Sequence, residues 1–282
     1  MTPPDQKLAA SVSYIREHIS QVPSTAIVLG SGLGDFQRKL AQEVVLQNRD
    51  IPYYPVPHIE GHPGRLVFGR IQISKALQGS LILVFVGRSH FYESGDLEYV
   101  RYPIRVAHAL GVKNLILTNA SGAVNAALRP GELMLITGQI NLTFQTPRLC
   151  LGRSLSASAY DPALANLARL AASKNHIFLR EGVYCGVIGP SYETPAEIEM
   201  IRRLKGDAVG MSTVHESTTA RQLGMRVLGI SLITNLAAGL AREPATHDEV
   251  IRVAHQVKKR FEMLLTSVLG LLERDAGKAT DS

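Results

Sequence analysis

The chain has 282 residues, 45% of them hydrophobic and 19% charged, a balance typical of a globular enzyme able to bury a large core. Its net charge of +6 is dispersed: Arg202-Arg203 and Lys258-Lys259-Arg260 are too short for a nucleic-acid stripe, so the surplus favours small anionic ligands. No apolar run approaches a bilayer span, and the opening MTPPDQKLAA has neither a basic leader nor an apolar signal core, so a cytosolic chain with no membrane partner is expected. Cys150 and Cys185 lack redox or metal spacing and read as plain thiols.

Taken in chain order, short β-branched runs alternate with helical patterns. Thr25 to Leu29 reads as the first strand. Prolines and glycines then break any period between Asp50 and Arg70, and Arg65 to Ala76 reads as a hairpin. Further strands are expected at Leu81–Val86, Asn114–Thr118 and Glu132–Thr137, followed by a loop over roughly Asn141–Asp161. Gly182–Ile188, Asp207–Val209 and Arg226–Thr234 complete the set. This alternation predicts a single α/β domain over residues 1–282, with a mixed, largely parallel central sheet flanked by helices. The last helix is the clearest element: Val250, Ala254, Val257, Phe261, Leu264, Val268 and Leu271 recur at steps of four and three.

Three helix starts share capping-box spacing: Thr194 with Glu197, Thr213 with Glu216, and Thr246 with Glu249. Each follows a strand or a loop leaving one, so their neighbours Tyr192, Glu193, Met211, Ser212 and His247 fall where α/β sheets hold ligands.

Several stretches carry chemistry. GSGLGDF, Gly30 to Phe36, is a strand-to-glycine turn whose amides and Ser31 hydroxyl could cradle phosphate, or simply a tight turn. Asp35 stands where a dinucleotide fingerprint needs its third glycine, and no P-loop lysine follows, which weakens a nicotinamide-enzyme reading. Arg88 and His90 leave the end of an apolar run on one side, suiting an oxyanion. His58 and His62 are four apart, but Gly61, Pro63 and Gly64 forbid a metal-binding helix, so no metal is expected. In NLILTNASGAVN, Asn119, Ala120 and Ser121 reach a strand end, either as an ordinary turn or as a ligand contact made close by Gly122.

The ordered series GSGLG, EGHPGRLVFG, GRSHFYE, YPIRVAHALGVKNLILTNASGAVN, GPSYETPAEI, GDAVGMSTVHE, RVLGISLITN and HDEV resembles the trimeric family of purine nucleoside phosphorylases, from about Ala26 to Val250. The resemblance implies phosphorolysis of purine nucleosides to free base and ribose 1-phosphate, in purine salvage, by a homotrimer with phosphate as co-substrate and no cofactor. It implies a phosphate site of Ser31, His62, Arg88, His90, Ala120 and Ser212, with His62 on a closing loop. Tyr92, Met211 and His247 would hold the ribose, with Phe144 the nearest candidate to cover a neighbouring subunit's sugar. Glu193 and Asn235 would read the base, lined by Tyr192, Val209, Gly210 and Thr234. Catalysis would fall on Asn235, His90, Glu193 and His247. An amide at 235 can both donate and accept, so inosine and guanosine are expected over adenosine. The chain departs from the family at Gly138-Gln139-Ile140-Asn141, where relatives read Asp-His-Ile-Asn, and in a short following loop. The alternatives are a relative preferring xanthosine or methylthioadenosine, and a purine- or phosphate-binding protein without turnover.

Overall fold

A computed structural model describes residues 3–59, 61–74, 77–145, 158–240 and 247–280. The elements are α1 (Pro3–His18), β1 (Thr25–Leu29), β2 (Leu40–Gln47), β3 (Arg65–Ser74), β4 (Leu77–Val86), α2 (Phe91–Ser94), α3 (Leu97–Leu110), β5 (Asn114–Ala123) and β6 (Leu133–Asn141). After them come α4 (Pro162–Lys174), β7 (Leu179–Gly186), α5 (Pro195–Arg203), β8 (Ala208–Gly210), α6 (Val214–Gln222), β9 (Arg226–Leu236) and α7 (His247–Thr280).

All nine strands join one mixed sheet in the order β2-β3-β4-β1-β5-β8-β7-β6-β9, and β9 pairs again with β5. Strands β4, β1, β5 and β9 run parallel, while β2, β3 and β4 form an antiparallel meander. Strands β6, β7 and β8 are parallel to one another but antiparallel where they meet β9 and β5. The last five strands therefore close into a ring.

Alternation along the strands sends side chains to two cores. Ala26 and Val28 of β1 join Val12 and Ile15 of α1 and Val106 and Leu110 of α3, whereas Ile27 and Leu29 join Leu164 of α4 and Val257 and Phe261 of α7. The expected stripe of the last helix is buried from Val250 to Val268, Ala254 and Leu264 completely. At its end the stripe drifts by one residue: Leu272 is buried and Leu271 only partly so.

Several readings need correction. The expected hairpin over Arg65–Ala76 is the single strand β3, whose antiparallel partner is β4; residues 75 and 76 lie outside the described residues. Gly69 makes no turn there but admits the bulged β2, since a Cβ would sit 2.7 Å from the Ala41 carbonyl oxygen. Strands β5 and β9 outrun their expected ends, so Asn119–Gly122 and Asn235 lie within paired strands rather than in turns after them. Strand β2 was not expected, and the strand at Gly182–Ile188 starts and ends earlier, at Leu179–Gly186.

The Thr194–Glu197 box closes reciprocally, at 2.7 Å from Thr194 N–H to Glu197 and 3.3 Å from Glu197 N–H to Thr194 Oγ1. Thr246, Cys150 and most of the Asn141–Asp161 loop lie outside the described residues, as do the side chains of His247 and Glu249. Cys185 is a free, buried thiol pushed up to about 12 by burial and the nearby Glu193 carboxylate, so it stays protonated and unreactive.

Candidate active site

Strand ends supply the site. The turn after β1 carries Gly30 and Ser31, the turn after β4 carries Arg88 and His90, and the last residues of β5 carry Asn119 to Gly122. Strand β8 runs back against β5, pairing Val209 with Gly122, which sets Gly210, Met211 and Ser212 beside them. Thr234 and Asn235 enter from β9, and Tyr192 and Glu193 from the segment between β7 and α5. All of these line one cavity of about 290 Å³.

One end of the cavity is rich in hydrogen-bond donors. Gly32 takes φ 73°, and a Cβ there would lie 2.4 Å from that of Ala254, so α7 packs directly beneath the glycine turn. Arg88 is 6% exposed. Its Nη1 donates to Ser212 Oγ at 3.0 Å, Thr213 Oγ1 at 3.2 Å and Glu216 at 3.3 Å, and its Nη2 to the Thr118 and Val28 carbonyls. The buried Glu216 compensates the guanidinium, and Arg88 Nε retains an N–H with no partner. The Arg88 N–H donates to His62 Nδ1 at 3.2 Å, so His62 carries its proton on Nε2, which meets Ser31 Oγ at 3.2 Å. His62 docks there because Gly87 has φ 94° and no side chain; a Cβ would lie 2.8 Å from His62.

His90 packs edge-on to His62 and stacks on Tyr92, at centroid distances of 5.3 and 5.1 Å. Its Nδ1 faces Glu93 at 3.3 Å. Burial alone would raise the Glu93 carboxyl, but hydrogen bonds from the His90 ring and from the His58 and His90 N–H groups hold it below the usual carboxylate range. A fixed carboxylate thus orients the His90 ring and leaves Nε2 for the cavity. Burial, reinforced by Glu93, pushes Tyr92 up to about 12, so its phenol keeps its proton.

The same lining also holds an acid and an amide, Glu193 and Asn235. Glu193 is raised from the usual carboxyl value, chiefly by burial and further by Glu197. Asn235 is 7% exposed; its Oδ1 accepts from Thr234 Oγ1 at 2.9 Å and its Nδ2 donates to the Leu236 carbonyl at 3.1 Å.

The structure gathers every residue named above for phosphate and base in this one cavity, with Tyr92 and Met211. Phe144 does not line it: its backbone has φ 55° and its ring is 83% exposed. The departure at Gln139 is structurally occupied, accepting from Tyr160 and Ser217 and donating to Thr218. Sequence reasoning missed Glu93, Thr213 and Glu216 as supports of the site. Glu93 lay in the quoted GRSHFYE and Glu216 in a capping box, but only the fold shows that they face His90 and Arg88. Among the described residues, no three His, Cys, Asp or Glu side chains group as metal ligands.

The family model described as the phosphorylase superfamily matches residues 24–270. Purine nucleoside phosphorylase 1 of Bacillus subtilis is 41% identical over 274 residues, covering 95% of this chain and 99% of that protein. The purine nucleoside phosphorylase of Mycobacterium tuberculosis is 41% identical over 270 residues, covering 94% and 96%. A solved schistosome purine nucleoside phosphorylase in complex with hypoxanthine superposes with TM-score 0.82 at 30% identity, and one from Schistosoma mansoni in complex with adenosine with 0.83 at 31%, each covering 94% of this chain and 96% of that one. With the family model matching residues 24–270 and a relative 41% identical over 95% of this chain, this protein belongs to the phosphorylase superfamily, in its purine nucleoside phosphorylase family.

Proposed function

We propose that this chain cleaves 6-oxopurine nucleosides with inorganic phosphate, releasing the base and ribose 1-phosphate. The observation that carries the reading is one cavity whose lining joins anion-binding donors to a buried carboxyl and an amide, Glu193 and Asn235. Ser31, His62, His90, Arg88, the Ala120 amide and Ser212 hold phosphate; Tyr92, Met211 and His247 hold the sugar. Glu193 accepts from the purine ring N–H, and Asn235 bonds the 6-oxo group and the five-membered-ring nitrogen, with Tyr192, Val209, Gly210 and Thr234 around the base.

A phosphate oxygen forms the bond to the anomeric carbon as the bond to the purine nitrogen breaks, and that electron pair leaves with the base. Positive charge builds on the sugar in the transition state. The phosphate dianion lies against it, and Asn235 stabilises the purine anion by hydrogen bonding, so neither a covalent enzyme intermediate nor a cofactor is required. The proposed assembly is a homotrimer acting in the cytosol for purine salvage, with the exposed Phe144 reaching a neighbouring subunit's site.

The test is an ultraviolet assay of inosine, guanosine, xanthosine and adenosine, each with and without phosphate. Phosphate-dependent release of hypoxanthine and guanine, with adenosine nearly inert, is expected. Binding without cleavage of any nucleoside would overturn the reading in favour of a binding protein. The adenosine complex of the schistosome relative makes adenosine the most informative comparison.

A further inference from the structure

The segment joining β8 to α6 holds the least ordinary backbone in the cavity wall. Thr213 has φ 73° and ψ −47°, and the Val214 N–H donates to the Ser212 carbonyl at 2.8 Å. A bond between residues two apart around such a centre, near the reference values of about +75° and −65°, is the rarer, strained form of the γ-turn. A β-branched residue is among the least suited to it. Something must hold it there.

What holds it is a buried polar chain. Thr213 is 1% exposed and Asn119 2%. Asn119 Nδ2 donates to Thr213 Oγ1 at 2.8 Å, and Ser231 Oγ fixes the other end of the same amide at 2.6 Å from Oδ1. Ser231 in turn meets Ser121 Oγ at 2.6 Å, tying the chain to both β5 and β9. Glu216 accepts the Thr213 N–H at 2.8 Å, and Arg88 Nη1 reaches the same hydroxyl at 3.2 Å.

The turn has a directional result. It ties the Ser212 carbonyl to the Val214 N–H at 2.8 Å, and the Ser212 hydroxyl stands beside Arg88 at 3.0 Å in the cavity lining. We infer that Thr213 and Asn119 are positioning residues for phosphate: the amide clamps the threonine hydroxyl, and the clamped, strained turn presents Ser212 and Arg88 to the anion. This rests on the reading of that end of the cavity as the phosphate site. It assigns a role to two side chains through the hydrogen bonds they make to other residues of the wall.

The experiment compares Thr213→Val, Thr213→Ser and Asn119→Ser with the unaltered protein. The readouts are thermal unfolding, KM for phosphate and for inosine, and Kd for inorganic phosphate by titration calorimetry. Losing the clamp in Thr213→Val or Asn119→Ser is expected to raise KM and Kd for phosphate about tenfold, while KM for inosine stays within about twofold. Thr213→Ser keeps the hydroxyl and is expected to restore phosphate binding. The inference fails if both substrates' constants rise together, or if Tm drops while phosphate Kd holds. Should the unaltered protein show no phosphorolysis, the proposed function falls, but the phosphate Kd values still decide this inference: equal values in variants and parent overturn it.

Discussion

Asn235 is the residue on which the proposed chemistry most depends. One of its two N–H donors is spent on the Leu236 carbonyl, which leaves the other for a base, and the Thr234 hydroxyl fixes which way the amide faces. Asn235→Ala is expected to lower kcat with inosine about 10²- to 10³-fold, the scale of losing one donor to a developing anion; near-normal turnover would remove it from catalysis. Glu193 must be ionised to accept from the base, and its carboxyl is raised by burial and by Glu197. The acid limb of kcat/KM is therefore expected at higher pH than for an ordinary carboxylate, and Glu193→Gln should abolish that limb. His215 concerns stability instead. Burial, reinforced by Arg101, pushes it down to about 4 from 6.5, and its Nδ1 has no partner. With the folded value below the unfolded one, its contribution is fully present above pH 6.5 and is lost as pH falls toward 4. That loss amounts to roughly 3 kcal/mol. Tm measured across this range should fall less steeply in His215→Phe.

At the scale of elements, α7 unites the core with the site. Phe261 is 1% exposed and meets Phe36 edge-on at 6.2 Å, while Ala254 of the same helix supports the glycine turn of β1. Phe261→Ala is expected to cost about 3–5 kcal/mol in denaturant unfolding; a change below about 1 kcal/mol would show that α7 is not anchored there. This helix was legible because its seven apolar positions keep one period for over 20 residues. Strand β2 was not, because its residues Ala41 to Glu43 are exposed and a bulge between Gln42 and Val44 breaks its alternation. The ends of β5 and β9 were misread for a different reason. Asn119 and Asn235 look like turn residues locally, but a ten-residue parallel register between the two strands overrides that preference.

For the whole molecule, the ordered motifs made the family and the cavity's composition legible before any coordinates. They could not show what each lining residue leans on. Glu93 bears on His90 only once the short α2 turn forms, and Asn119 and Thr213, 94 residues apart, meet only in the folded sheet. Assembly belongs to this scale too. Light scattering is expected to give the mass of three chains, and Phe144→Ala should raise KM for the nucleoside more than for phosphate; a single-chain mass would overturn the trimer. The ring formed by β5, β8, β7, β6 and β9 has a bearing on solubility. Because those five strands pair on into one another, β2 is the terminal strand of the sheet order, with β3 alone beside it. That edge is guarded: it is kinked by its bulge and carries Glu43, tied to Arg70 at 2.8 Å. A newly folded copy thus presents other copies with little on which to extend a sheet, and association is left to side-chain surfaces, where partners can be chosen.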